Sequence, residues 1–298
     1  MALYAFDGTW HRRQTSAEYS TRSNVVKFAR AYRDDKAVFQ KDGKKMHVVE
    51  NDDGYIDGVG ARHGRLGWFF GGFFGAGGKT RINEALARVE RRRAAGDDIV
   101  DVVGFSRGGA LAVHFVNELA DRNVPVRFLG LWDVVGAFGI PLSIGAFEFQ
   151  KVNIGWKLGL PSNVEYCFHA LSLDERRQGF RVTRLEGAYE VYFRGVHSDV
   201  GGGNDNEKLS NIALAWMLRK AEAVGLPVDP TVADKLEMNA DADVKPEKDL
   251  IVDPFREVLP VWLHHTIKVR DHKDCRPIPP GCPVETPEME KTRKRFEG

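Results

Sequence analysis

One serine lies in a setting that can make its hydroxyl nucleophilic. Residues 104–108 read GFSRG, directly after an apolar run at 99–103 and directly before a small-residue segment with helical periodicity. A G-x-S-x-G elbow turns sharply from a strand into a helix and lifts the serine oxygen clear of the sheet, and its glycines avoid collisions at the turn. The pattern recurs by chance in loops, but this context predicts Ser106 as a nucleophile, with a tight structural turn as the alternative.

The later chain supplies a candidate acid and a candidate base. A serine nucleophile needs a base within hydrogen-bond reach and a carboxylate that fixes the tautomer of that base. In α/β hydrolases the acid and then the histidine follow the serine, on later strand ends. Asp133 ends the apolar run 126–132, and His197 ends the run 189–196 before glycines that give a loop freedom. We predict Asp133 as acid and His197 as base; a solvated strand-end carboxylate and a structural histidine are the alternatives.

Two further residues are rivals for these roles. His169 also follows a strand-like run, although its charged neighbours at 174–177 favour a polar cluster on the surface or beside the substrate. Asp199 is two residues beyond His197 and is either a rival acid or a residue that orients the loop. We keep both as candidates for the substrate pocket.

An oxyanion formed at Ser106 needs backbone N–H donors. One usually comes from the residue after the nucleophile, here Arg107, and one from an early strand-end loop. The turn Asp7-Gly8-Thr9 follows the first apolar run, and its glycine permits close approach. We predict the second donor at Gly8 or Thr9, with Asp7 bracing the turn or reaching the pocket.

Aromatic residues at 68–75, among them Trp68 and Phe69, lie on a glycine-rich background. They are predicted to line an acyl pocket or a mobile flap, with ordinary core packing as the alternative. Two other patterns lack a required residue. The GGKT at 77–80 lacks the earlier glycine and leading strand of a phosphate-binding loop, and the FDGT at 6–9 lacks the second carboxylate of an aspartyl phosphatase.

Composition excludes several classes of partner. The 298 residues carry 43 Lys plus Arg against 42 Asp plus Glu, and a formal charge of +1 provides no field for nucleic acid. Three cysteines, an odd number, favour a reducing compartment, and the N-terminus reaches a charge too early for a secretory signal. No window is apolar for about 18 residues, so no transmembrane segment is expected. The sequence thus predicts synthesis in the cytoplasm.

Apolar runs alternate with helical patterns along the chain, which predicts an α/β fold with a mostly parallel sheet flanked by helices. The expected strands lie at 3–6, 46–50, 99–103, 126–132, 164–168 and 188–196. Helical stripes are expected at 25–32, 82–89, 111–119 and 210–224. After residue 227 Pro, Asp and Lys become frequent, so we expect a catalytic domain at 1–226 and an irregular C-terminal extension at 227–298.

These motifs together resemble a known family. Five segments occur in order within roughly the first 220 residues: FDGT at 6–9, GFSRG at 104–108, WDVVGA at 132–137, HAL with DER at 169–176, and GVHSDVGGG at 195–203. They are similar to the α/β-hydrolase domain known as domain of unknown function 2235, which includes phospholipase effectors of bacterial type VI secretion. One departure is Gly109, where the family elbow usually has alanine directly after Gly108.

The resemblance implies that Ser106, Asp133 and His197 are nucleophile, acid and base of a serine esterase or phospholipase that needs no metal or organic cofactor. It implies a phospholipid or other ester substrate, with a secretion apparatus or an immunity protein as partner and delivery route. The sequence leaves two alternatives open. One is a soluble esterase for small or carbohydrate-linked esters, and the other is a binding module of the same fold without turnover.

Overall fold

A computed structural model describes residues 2–8, 23–32, 40–42, 45–47, 55–56, 73–136, 156–177, 180–204, 206–244, 256–269 and 275–292. Its strands are β1 (Ala2–Phe6), β2 (Gln40–Asp42), β3 (Lys45–His47), β4 (Tyr55–Ile56), β5 (Val100–Phe105), β6 (Val126–Trp132), β7 (Val164–Ser172), β8 (Tyr189–Phe193), β9 (Trp262–His264) and β10 (Val284–Glu285). Its helices are α1 (Asn24–Ala31), α2 (Phe73–Ala94), α3 (Ser106–Ala120), α4 (His197–Gly201), α5 (Glu207–Ala223), α6 (Pro230–Lys235) and α7 (Pro287–Glu290), with a 3-10 helix at His265–Val269.

Eight of these strands form one sheet in the order β10-β9-β8-β7-β6-β5-β1-β4. Every neighbouring pair in it is parallel. The predicted α/β class with a mostly parallel sheet is therefore confirmed, and the fold is α/β-hydrolase-like. One predicted strand does not belong to this sheet. The described part of the strand predicted at 46–50 lies in β3, which pairs with β2 in a separate antiparallel ribbon, so its expected place in the parallel sheet was wrong.

The order of the strands reverses between β1 and β5. From β1 the chain reaches β4 on one side, and β5 then lies on the other side of β1, with β6 to β10 added outward from it. Ligands of open parallel sheets bind beside such a reversal, outside the carboxyl ends of the strands. Asp7 follows β1 and Ser106 follows β5, so the topology alone brings these residues to the edge where a site is expected.

Helices cover the sheet on both faces, and the side chains of β1 alternate between the two cores. Leu3 and Ala5 belong to a cluster that includes α1 and α5, whereas Ala2, Tyr4 and Phe6 belong to a cluster that includes α2 and α3. Successive side chains of a strand point to opposite faces. A strand buried on both faces is therefore apolar at nearly every position, which is why β1 and β5 were visible in the sequence.

The segment after residue 226 extends the same sheet. Strand β9 pairs with β8 and β10 with β9, and the fully buried Lys220 of α5 lies 2.8 Å from Glu285 of β10. Apart from these strands, the described part of the segment consists of short helices and irregular stretches. The division into domains at 1–226 and 227–298 stays a prediction.

Among the described residues, none of the helices combines the length and the apolar character needed to cross a membrane.

Candidate active site

Ser106 lies at the junction of β5 and α3 with a φ of 58°. This value falls in the left-handed region, which is unfavourable for residues other than glycine. A Cβ on Gly108 would lie 2.2 Å from the carbonyl oxygen of Asp7, and one on Gly104 would lie 2.7 Å from the Cα of Gly109. Both glycines are thus required for the close packing of this turn. The predicted strand-to-helix elbow is confirmed, including its strained serine.

The additional Gly109 also has a packing role. A Cβ at this position would lie 2.8 Å from Cγ2 of Val134, and the amide of Val135 donates to the carbonyl oxygen of Ser106 at 3.1 Å. The departure from the usual family elbow therefore lets the start of α3 lie against the chain that follows Asp133.

Asp133 and His197 are in direct contact. Asp133 follows β6 with a φ of 40°, and its fully buried Oδ2 lies 2.6 Å from Nδ1 of His197, the first residue of α4. A hydrogen bond from Nδ1 to the carboxylate directs the lone pair of the neutral imidazole to Nε2. Asp133 thus fixes the tautomer in which Nε2 can accept a proton.

Aromatic rings hold the His197 imidazole beside the elbow. The ring of Phe105, the residue before Ser106, lies 4.6 Å from it at 31°, and the ring of Phe180 lies 4.8 Å from it at 67°. The backbone N–H of His197 donates to Oε2 of Glu175 at 3.1 Å. The imidazole is therefore fixed in position next to the end of the strand that precedes Ser106.

The glycines after His197 do not form the flexible loop that the sequence indicated. Gly201 belongs to α4, and a Cβ on it would lie 1.9 Å from Cε2 of Phe105, while Gly202 ends the helix with a φ of 78°. Gly201 is required for close packing, so the expectation of loop freedom at this position was wrong.

Opposing effects set the pKa values of the pair. Burial by itself would raise the pKa of the Asp133 carboxyl, but the Arg256 charge and the hydrogen bond from His197 outweigh it and hold that pKa well below its ordinary value. Burial lowers the pKa of His197, and the hydrogen bond and charge of Asp133 oppose it only in part. At neutral pH an ionised Asp133 thus faces a neutral His197.

Two partners of Asp133 were missed in the sequence. Ser172, at the end of β7, donates to Oδ1 from its amide at 3.0 Å and to Oδ2 from its hydroxyl at 3.1 Å. Arg256 donates to Oδ1 from Nη1 at 2.7 Å and to Oδ2 from Nη2 at 3.0 Å. Ser172 could have been found as a polar residue at a strand end, but Arg256 has no local signal in the sequence.

The turn after β1 lies against the elbow, as the oxyanion prediction requires. In this structure, however, the amide of Gly8 donates to Oδ1 of Asp7 at 2.7 Å, and Oδ2 of Asp7 accepts from the Ser23 hydroxyl at 2.8 Å. Asp7 therefore braces the turn, and an oxyanion would compete with it for the Gly8 amide. Thr9 lies outside the described residues. Burial lowers the pKa of Arg107 to about 10, which leaves this residue charged beside Ser106 at neutral pH.

His169 supports the backbone next to Asp133. It is fully buried in β7, with Nδ1 3.0 Å from Oε1 of Glu190, and Nε2 accepts from the amide of Val134 at 3.1 Å. Both ring nitrogens are thus engaged by protein groups. These contacts orient the turn after β6 and give the ring no exposed face for a substrate.

Asp199 holds the first turn of α4. Its Oδ2 accepts from the amide of Val196 at 3.1 Å, and its Oδ1 accepts from the side chains of Asn204 and Asn206, each at 2.9 Å. Its carboxylate therefore supports the helix that begins with His197. The other two pocket candidates, Trp68 and Phe69, lie outside the described residues.

One group among the described residues has the atoms to hold a metal ion. Oε1 of Glu290 lies 2.8 Å from Nε2 of His264 and 2.7 Å from Nε2 of His265. Arg219 donates to the other oxygen of Glu290 at 2.5 Å. Since this guanidinium already pairs with the carboxylate, we assign these contacts to a hydrogen-bonded ion pair within the protein.

Comparisons with known proteins place the chain in a family. The family model described as "T6SS, Phospholipase effector Tle1-like, catalytic domain" matches residues 3–122 and 111–220, which together exceed half of the chain. No curated protein sequence matches the chain.

Two solved structures are similar. An uncharacterized protein from Pseudomonas aeruginosa has 18% identity and a TM-score of 0.56 over 80% of this chain and 48% of its own. The Tle1 effector bound to the VgrG spike of the Type 6 secretion system has 24% identity and a TM-score of 0.46 over 68% of this chain and 50% of its own. The chain thus spans about half the length of each. Because the family model matches more than half of the chain, the chain belongs to the family of Tle1-like catalytic domains of type VI secretion phospholipase effectors.

Proposed function

We propose that the chain is a serine hydrolase that cleaves carboxylic ester bonds of phospholipids, with Ser106 as nucleophile, His197 as general base and Asp133 as the orienting acid. The observation that carries this proposal is the 2.6 Å contact between Asp133 and His197 beside the strained elbow. A buried carboxylate on Nδ1 leaves Nε2 as the proton acceptor, and His197 packs on Phe105, the residue before Ser106.

The chemistry follows from these roles. Ser106 Oγ attacks the ester carbonyl carbon while His197 Nε2 takes the hydroxyl proton, and the carbonyl electrons move to the oxygen. The amide of Arg107 and the turn after β1 are the proposed donors to this oxyanion. As the intermediate collapses, the bond to the alcohol breaks, and Nε2 returns the proton to the leaving oxygen. Water activated by the same imidazole then cleaves the acyl-serine ester and releases the fatty acid.

The substrate class and the delivery route rest on the family description. We infer a glycerophospholipid acyl ester as substrate and a component of the type VI secretion apparatus as a partner, with an immunity protein as a second partner. Co-purification of the tagged chain with a candidate spike protein tests the apparatus partner. Failure to bind in a quantitative assay with purified proteins would remove it.

An active-site probe tests the chemistry. A fluorophosphonate should label the wild-type chain, and Ser106→Ala should abolish labelling. Ser210→Ala is the matched control, since Ser210 is also a buried serine and its hydroxyl donates to the Glu207 carbonyl oxygen in α5. An unlabelled wild-type chain without esterase activity would indicate a binding module.

A substrate comparison then tests the lipid assignment. Phosphatidylglycerol vesicles and short p-nitrophenyl esters are offered to wild type and to Ser106→Ala. Serine-dependent release of fatty acid from vesicles supports the phospholipase assignment. Hydrolysis of short esters without attack on vesicles supports a soluble esterase instead.

A further inference from the structure

Arg256 contacts the candidate acid although it lies beyond the family-matched residues 3–220. We propose that Arg256 is a positioning residue of the active site, which holds the Asp133 carboxylate ionised and oriented toward His197. This inference rests on the proposed function, because it assigns a role within the same catalytic group. By this proposal the C-terminal segment, which contains Arg256, contributes a residue to the active site.

The two terminal nitrogens of Arg256 each bind one carboxylate oxygen of Asp133, and we call this bidentate Arg256–Asp133 contact the clamp. Nη1 lies 2.7 Å from Oδ1 of Asp133 and Nη2 lies 3.0 Å from Oδ2, while Nη1 also donates to the Ser172 hydroxyl at 2.9 Å. The Arg256 side chain is 7% exposed and the Asp133 side chain is fully buried. A planar guanidinium bound to both oxygens fixes the rotation of a carboxylate, which a single point charge cannot do.

The arginine is itself held in place by the protein. Its Nη2 donates to the carbonyl oxygen of Phe180, whose ring packs on His197. The Arg276 guanidinium donates to the Arg256 carbonyl oxygen, and the Arg276 amide donates to Oδ1 of Asp174 at 2.7 Å. The C-terminal segment is thereby tied to the chain that follows β7, on the same side as the acid and the base.

The clamp opposes the effect of burial on the ionisation of Asp133. A carboxylate without contact with water tends to take up a proton, and a protonated acid cannot stabilise the imidazolium that forms during catalysis. While His197 is neutral it offers Asp133 a hydrogen bond but no charge. The Arg256 guanidinium is charged in both states, so it keeps Asp133 ionised before and after the proton moves.

The same charge acts on His197. The groups that face the imidazole are Asp133 and Glu175, which favour its protonated form, and Arg256, which disfavours it. Arg177 pairs with Glu175 at 2.8 Å, and the rings around the imidazole are uncharged. Burial lowers the pKa of His197, and Arg256 lowers it further. Loss of the Arg256 charge should therefore raise this pKa.

Three variants separate charge from geometry. Arg256→Gln removes both, and Arg256→Lys keeps the charge but not the fork. Arg219→Gln is the matched control, because it breaks a guanidinium–carboxylate pair with Glu290 that anchors the C-terminal segment without touching Asp133. For each, kcat and KM are measured against pH, and the pKa of His197 is read by NMR with labelled histidine, assigned with His197→Gln.

We expect Arg256→Gln to lower kcat by about 10²-fold with little change in KM, because a slightly misplaced base is costly. The acid limb of kcat/KM and the NMR pKa of His197 should both move up, because the Arg256 charge that is lost disfavours the protonated imidazole. Arg256→Lys should lose part of kcat without this shift. Arg219→Gln should leave kcat and the pKa unchanged, even where it lowers the melting temperature.

The outcomes distinguish the two proposals. Inactive wild-type protein would refute the proposed function, while the NMR titration of Arg256→Gln would still report on the clamp. Active wild type with an Arg256→Gln variant of unchanged kcat and unchanged His197 pKa would refute the clamp. If Arg256→Gln fails to fold, Arg256→Lys decides, because unaltered kcat in that variant would show that the fork is dispensable.

Discussion

The ring of Phe105 packs against the imidazole of His197 in a tilted arrangement, with centroids 4.6 Å apart and planes at 31°. Phe105 is the last residue of β5 and precedes Ser106, so one side chain links the strand of the candidate nucleophile to the candidate base. Gly201 of α4 packs on the same ring so closely that a Cβ would lie 1.9 Å from Cε2. A glycine at 201 therefore allows α4 to approach β5 and to bring His197 to the elbow.

Gly201→Ala should destabilise the fold and displace the base. The added methyl must push Phe105 or α4 aside, which should lower the free energy of unfolding by about 1–3 kcal/mol and reduce kcat. Urea denaturation and the rate of fluorophosphonate labelling measure the two effects. Gly159→Ala is the control, because no atom lies within 4 Å of its added Cβ. Equal stability of the two variants would contradict the packing argument.

Gly108 and Gly109 should differ in how much stability is lost when each is replaced by alanine. A Cβ on Gly108 would lie 2.2 Å from the backbone of Asp7, whereas one on Gly109 would lie 2.8 Å from the Val134 side chain and 3.5 Å from the Gly104 backbone. We expect Gly108→Ala to cost more than about 3 kcal/mol and Gly109→Ala about 1–2 kcal/mol. Denaturant unfolding measures both.

A double-mutant cycle identifies the cause at Gly109. Val134→Ala removes the methyl that the new Cβ would meet, so Gly109→Ala should be nearly neutral in that background. Additive effects of the two substitutions would show that the cost arises elsewhere.

The sequence was informative where function depends on the ends of regular strands. Ser106, Asp133 and His197 each follow an apolar run, and in a parallel sheet such runs end at one edge, so the contact between Asp133 and His197 could be anticipated. His169 was assigned less well, since its strand was predicted to end at 168 but continues to Ser172. The histidine therefore lies inside β7 with both nitrogens engaged.

The features that the sequence did not predict are either very short elements or contacts between residues far apart in the chain. Strands β9 and β10 contain three and two residues, too few for a recognisable alternation. Helix α4 has five residues, and its Gly201 looks like a loop residue until Phe105 is placed against it. Arg256 is separated from Asp133 by 123 positions, and a salt bridge over that distance leaves no pattern in a single sequence.

Activity should persist into mildly acidic conditions. His197 must be neutral to accept the serine proton, and burial lowers its pKa from the ordinary 6.5. Protonation of the base then begins at lower pH, so the acid limb of kcat/KM should fall below pH 6.5. A pH profile with a short ester, corrected for unfolding, measures this. A limb at or above that value would mean that Asp133 outweighs burial.

Glu290 should make stability depend on pH at the C-terminal end of the fold. Burial alone would raise the pKa of its carboxyl, but hydrogen bonds from His264 and His265 and from Arg219 outweigh it and lower that pKa. A carboxyl with a depressed folded pKa contributes stability that is complete above its unfolded value, near 4.5, and is lost as the pH falls toward the folded value.

Glu290→Gln should thus lower the free energy of unfolding by about 2–3 kcal/mol at pH 7, and the difference from wild type should shrink below pH 4.5. Urea denaturation between pH 7 and the acid limit of the wild-type fold measures this. Lys208→Gln, which breaks an exposed pair with Glu237, should change stability far less. A Glu290→Gln deficit that stays constant down to that limit would show that the carboxylate charge is not what stabilises this contact. The lost stability would then be assigned to the hydrogen bonds that the introduced amide cannot accept.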